Sequence, residues 1–131
     1  MNRKSVFAIA ISLFLIALIF TAGYLKSVAD YKRAVKETTF DGIEISDVPD
    51  GVYVGEYDVD FIYAKVEVTV RGGVIADIDI LEHKNERGKS AEIIVEKIIE
   101  EQKINVDAVS GATNSSIVIK KAVENALNGG K

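Results

Sequence analysis

"IYAKVEVTVRGGVIADIDI", residues 62–80, alternates apolar and polar residues on either side of a Gly-Gly pair. Ile62, Ala64, Val66, Val68 and Val70 point one way while Lys65, Glu67 and Thr69 point the other, the two-residue period of a half-buried strand. Gly72-Gly73 reads as a two-residue hairpin connection, whose central positions favour residues that tolerate positive φ. Val74, Ala76, Ile78 and Ile80 then continue the core face, with Asp77 and Asp79 in solvent. Upstream, Asp50-Gly51 after the only proline, Pro49, marks a turn into a short aromatic strand, "VYVGEY" (52–57). Gly55 within it signals a bulge or a close backbone approach. The three runs predict an antiparallel meander with one covered face.

Two amphipathic segments supply the cover. In "GKSAEIIVEKIIEEQKI" (88–104), Ala91, Ile94, Val95, Ile98 and Ile99 follow the helical stripe, with Glu92, Glu96, Lys97 and Glu100 opposite. In "SSIVIKKAVENAL" (115–127), Ile119, Ala122, Val123, Ala126 and Leu127 do the same, and Asn128-Gly129-Gly130 ends the run. Val106 to Val109 is a loop or short strand feeding the second helix. The fold class is α+β: a small antiparallel sheet with two helices on one face, preceded by one N-terminal transmembrane helix.

That N-terminal element is "SVFAIAISLFLIALIFTAGYL" (5–25), 21 uncharged and mostly apolar residues. At about 1.5 Å per residue it crosses a hydrocarbon core of roughly 30 Å. It is either a membrane anchor or an unusually long signal sequence; its length, and Lys26 ahead of a passable cleavage site (Ser27, Ala29), favour the anchor. Basic residues lie on both sides (Arg3 and Lys4; Lys26, Lys32, Arg33 and Lys36), so they do not decide the orientation, and the short leader favours a cytoplasmic N-terminus. The expected division is 1–25 anchor, 26–49 charged stalk, 50–131 folded domain. Removing Arg3 and Lys4 from the 16 basic residues leaves 14 against 20 acidic ones, a net charge of −6. A domain so acidic is not expected to bind nucleic acid or anionic lipid unaided. With no cysteine, the chain offers neither a disulfide nor a thiolate metal site.

Chemistry concentrates in "DAVSGATNSS" (107–116). Its plainest reading is structural: Thr113, Asn114 or Ser115 caps the last helix and Gly111 supplies a positive φ. A second reading is an anion site, because free N–H groups and the dipole at a helix start attract phosphate. The long glycine loop and lysine of a nucleoside-triphosphate site are missing.

Asp107-Ala108-Val109-Ser110-Gly111-Ala112-Thr113 resembles the Asp-x-x-Ser/Thr-Gly-Ala-Thr motif of FMN-binding domains, the family that includes the FMN-carrying subunits of Rnf-type and Nqr-type electron transport complexes. The likeness runs from about residue 50 to 128. It implies that a flavin transferase splits FAD and joins the FMN phosphate to Thr113 as a phosphoester. Asp107, Ser110, Gly111 and Ala112 would then be recognition and pocket residues, with Asn114, Ser115 and Ser116 offering donors at the helix start. His83 and Gly88 fall where the family has a histidine-to-glycine loop near the flavin; many relatives carry Glu-Thr-Pro between them, and this chain has Asn85-Glu86-Arg87. Tyr53, Tyr57, Phe61 and Tyr63 are either flavin-stacking or packing aromatics. Asp77 and Asp79 read as solvated carboxylates.

The resemblance thus implies an extracytosolic, single-pass electron carrier, held in the lipid bilayer by residues 5–25 and relaying electrons between a membrane-side donor and an external acceptor. It would be a carrier more than an autonomous enzyme. The alternatives are the FMN-carrying subunit of an Rnf- or Nqr-like ion-pumping complex, a non-covalent flavin-binding or interaction module, and a fragment of a reductase.

Overall fold

In the computed structural model, which describes residues 2–85 and 88–130, one long helix leads into a three-stranded sheet covered by two further helices. Helix α1 spans Arg3–Glu37. Strands β1 (Gly51–Asp58), β2 (Tyr63–Arg71) and β3 (Val74–Lys84) pair antiparallel in the order β1-β2-β3. A 3-10 turn (Lys89–Ile93) runs into α2 (Ile94–Glu101), and α3 (Thr113–Asn128) closes the fold. The meander, the α+β class and the two covering helices are as the periodicity predicted. Residues 106–109 form no strand and lead into α3 as loop.

The core face of β2 is the one read from its alternation: Ala64, Val66, Val68 and Val70 have no solvent exposure. Each valine so buried contributes about 1.5–3 kcal/mol. Helix α3 lies across β1 and β2, and α2 lies against β3. Gly72 and Gly73 both take positive φ, +62° and +78°, as the hairpin reading required.

Strand β3 departs from simple alternation. Thr69 pairs with Asp77 but Val70 with Ile75, so Ala76 is an extra residue; Lys65 pairs with Glu82 but Val66 with Ile80, so Leu81 is another. Each bulge reverses the side-chain phase. Ile75 and Ile78 therefore face the core, while Val74 and Ala76, expected inside, are exposed. The free edge of β3 at Ile75 is closed by a side chain. Gln102, in left-handed conformation after α2, accepts from the Ile75 N–H through Oε1 (2.8 Å) and donates through Nε2 to the Ile75 carbonyl (2.8 Å).

The apolar run sits in the first two thirds of α1, which is long and apolar enough to cross a membrane; its most apolar stretch is unburied. Residues 26–49, expected as a stalk, lie against the domain: Tyr31, Val35, Ile45 and Val48 are buried. Polar ties reinforce that contact. Lys121 Nζ donates to the Thr39 carbonyl (2.8 Å) and to Glu124 Oε1 (2.6 Å), while Glu124 Oε2 accepts from the Asp41 N–H (2.9 Å).

Gly55 is the close approach that its position in a strand suggested. A Cβ there would overlap the backbone of Ala122 and Ala126 in α3. Gly55→Ala is expected to lower unfolding stability by about 1–3 kcal/mol, since neither backbone can yield without moving the helix. Denaturant unfolding in detergent checks this; an unchanged midpoint would show that α3 does not bear on β1 there.

Candidate functional site

Helix α3 begins at the motif, and the loop before it is held by one buried hydroxyl. The Ala112 N–H donates to the Val109 carbonyl (3.0 Å), closing a turn whose third residue, Gly111, has φ +80°. A positive φ at that position is what a type II turn demands, and glycine takes it without strain. Ser116 Oγ accepts from the Val109 N–H (3.0 Å) and donates to the Ala112 carbonyl (2.8 Å), so one fully buried side chain joins the loop to the helix. The helix N-cap is Ala112, which makes no side-chain cap bond. Thr113, Asn114 and Ser115 already lie in the first helical turn, so none of them is the cap that the structural reading assigned. The first-turn N–H groups consequently donate no hydrogen bond to an N-cap side chain.

An open cleft of about 350 Å³ lies at this helix start, lined by Ile62, Gly88, Gly111, Ala112, Thr113, Asn114 and Ser115. Thr113 is exposed, and Ser115 is buried. Gly88 brings the loop after β3 into the site: a Cβ on it would overlap the Ser115 side chain, so any other residue there would drive the loop away from α3. The Gly88 N–H is held by Asn85 Oδ1 (2.9 Å). Glu86 and Arg87, the rest of the departure from the Glu-Thr-Pro pattern, lie outside the described residues.

Of the residues singled out in the sequence, Gly111, Ala112, Thr113, Asn114 and Ser115 come together on this cleft, and Asp107, Ser110, Ser116 and His83 do not line it. Asp107 and Ser110 are exposed on the approach to α3. Asp107 is close enough to raise the affinity of Lys120 for its proton, though burial dominates and holds that ammonium below the usual lysine range. Lys120 Nζ donates to the Val106 carbonyl (2.8 Å) and Asn105 Oδ1 (3.2 Å), fixing the loop from beneath. His83, inward on β3, has its side chain 2% exposed, with Nδ1 3.8 Å from Glu92 Oε2. Its Nε2 has no hydrogen-bond partner among the described residues. Burial lowers its pKa from the ordinary value, and Glu92 only partly opposes this.

The aromatic candidates are engaged elsewhere. Tyr53 donates to the Pro49 carbonyl, Tyr57 shares a hydrogen bond with Thr38, and Phe61 packs on Tyr31. Tyr63 donates to Glu56 Oε2 (2.7 Å), which pushes its pKa up to about 12. Asp77 and Asp79 are exposed on the outer sheet face. Ile62, which sequence reasoning assigned only to the core, forms part of the cleft wall, and nothing in a strand pattern distinguishes such a residue. A larger cleft of about 470 Å³ lies between residues 40–46 and 102–105, away from the motif, and shares no residue with it.

What the motif cleft can do follows from its parts. An exposed hydroxyl, a helix start without a cap side chain, and open space beside Gly111 suit a phosphate group. Residues 61–128, about half of the chain, match the family model of the FMN-binding domain. The chain belongs to the FMN-binding domain family. No curated protein matches the sequence. An FMN-binding domain carries flavin chemistry, and a flavin-binding electron-transfer role is what the family indicates. The residues present fit the phosphate end of FMN, with Thr113, Asn114 and Ser115 on the helix start and Gly111 leaving open space beside it.

Two outcomes test this geometry. Ser116→Ala removes both loop-to-helix bonds and leaves the Val109 N–H without its acceptor, so a loss of about 1–3 kcal/mol is expected, against less than about 0.5 kcal/mol for exposed Ser110→Ala. Equal losses would sink the assignment of Ser116 as the tie. His83 favours its neutral form in the fold and has an ordinary pKa of 6.5 when unfolded. The unfolded chain therefore binds more protons, and stability declines as pH falls through about 6.5 toward the lower folded value. Denaturation midpoints should drop between about pH 7.5 and pH 5, and His83→Gln should lessen that drop; an identical pH profile in the variant would show that His83 does not contribute.

Proposed function

We propose that FMN is joined through its phosphate to Thr113 Oγ1, making the protein a membrane-anchored, extracytosolic electron carrier. The observation that carries this reading is the placement of an exposed threonine hydroxyl as the first helical residue after the motif, at an uncapped helix start on an open cleft. When bound, the flavin supplies electron transfer in one- or two-electron steps. The chain's own groups tether and orient it: the first-turn N–H groups face the phosphate, Gly111 and Ala112 leave Oγ1 accessible, and Ser116 holds the turn in shape. Asp107 and Ser110, exposed on the approach, serve recognition by the enzyme that attaches the flavin.

That enzyme is a separate flavin transferase. A threonine hydroxyl is a weak nucleophile without an activating base, and the motif contains neither histidine nor lysine. The new Oγ1–P bond replaces the pyrophosphate bond of FAD, AMP leaves, and the hydroxyl proton passes to the transferase. Covalent attachment keeps the flavin at high effective concentration where a dissociated one would be diluted.

Residues 1–25 form the anchor, 26–49 the connecting segment and 50–131 the flavin domain. The apolar length of α1 supports insertion in the bilayer. The donor lies on the membrane side and the acceptor outside.

The test is the intact mass of the protein purified from cells that co-express a flavin transferase, beside Thr113→Ala. The expected result is a gain of FMN minus water in the wild type and none in the variant. An unmodified wild type, with the transferase shown active on a control substrate, would overturn covalent attachment.

A further inference from the structure

The contacts that α1 and the segment after it make with the domain form an ordered ladder that sets which end of the domain meets the bilayer. Tyr24, still inside the apolar run, meets the Phe61 ring edge-on at 6.1 Å, and Tyr31 meets the same ring at 5.1 Å. Higher up, Thr38 hydrogen-bonds Tyr57, Thr39 meets Lys121, and Asp41 meets Glu124. At the far end Ser46 lies against Gly73 of the β2–β3 hairpin. The β1–β2 turn is thus level with the end of the membrane run, and the opposite hairpin is most remote from it. A nine-residue β2 separates the two ends by roughly 26 Å at about 3.3 Å per residue.

We propose that the β1–β2 turn around Phe61 docks on the bilayer surface and so presents the motif cleft on the membrane side of the domain. This rests on α1 being a membrane anchor. The occupant of this surface is the lipid interface itself, where tyrosine side chains such as Tyr24 are favoured. Continuity argues for it, since Tyr24, one of the two rings that Phe61 packs on, belongs to the apolar run. Ile62 follows Phe61 directly and lines the cleft, and Thr113 is on the same cleft. The cleft therefore serves a redox partner held in the membrane, while the β2–β3 hairpin faces the aqueous side.

The absence of cysteine permits a direct test with single labelled cysteines in the full chain, reconstituted in phosphatidylcholine vesicles that contain a headgroup-nitroxide lipid. Lys84→Cys reports the lower end of the sheet, because Lys84 Nζ donates to the Asp60 carbonyl; Arg71→Cys reports the upper end, and Leu25→Cys reports insertion. Fluorescence at position 84 should be quenched at least about threefold more than at position 71, and Phe61→Ala should reduce that ratio. Equal quenching at 84 and 71 with strong quenching at 25 would overturn docking while leaving the anchor intact. No quenching at 25 would overturn the anchor, and docking with it.

Discussion

Everything at the motif depends on how closely α3 can approach the sheet, and that distance is set by a missing side chain. With hydrogen at Gly55, the backbone of Ala122 and Ala126 rests directly on β1. Helices are stiff over this length, so the contact also places Thr113, nine residues and about 13 Å earlier in α3, beside Ile62 and Gly88. Gly88 repeats the device at the other end of the helix, where its lack of a Cβ admits the Ser115 side chain. Two glycines on separate strands and loops thereby hold one helix from both ends.

The second constraint is polar. Lys120, Lys121 and Glu124 lie on a helix that is buried nearly all round, and each ends on a partner: Lys120 on the Val106 carbonyl, Lys121 and Glu124 on residues 39–41 and on one another. Burying such charges costs several kcal/mol in desolvation, so their net contribution to stability is small. Their effect is on specificity of arrangement. The chain leaving α1 and the loop entering α3 are each tied at one geometry, which positions both the membrane helix and the motif relative to the same element.

The attachment loop itself follows a similar logic. Ser116 is buried and acts on the backbone, whereas Thr113, three residues earlier at the open start of the helix, is exposed. A motif dense in hydroxyls thus divides its labour: one hydroxyl shapes the turn and another is displayed. Side-chain type alone does not reveal that division, because serine and threonine serve equally well as caps, ties or acceptors.

By itself the sequence determined the membrane-length apolar run, the alternation of β2, the Gly-Gly hairpin, the two helical stripes and the motif, since each is a local pattern with a period of two or 3.6 residues or a turn requirement. Tertiary structure alone decided the rest. The bulges at Ala76 and Leu81 depend on how β3 meets β2, and they invert the faces that alternation assigned to Val74 and Ala76. Gln102 at the Ile75 edge, Glu124 under Asp41 and Ile62 on the cleft wall join residues distant in the chain, for which no local pattern exists. The charged segment after the apolar run reads as a solvated stalk because its charges dominate its composition, yet Tyr31, Val35, Ile45 and Val48 find apolar partners only once the sheet and α3 are assembled.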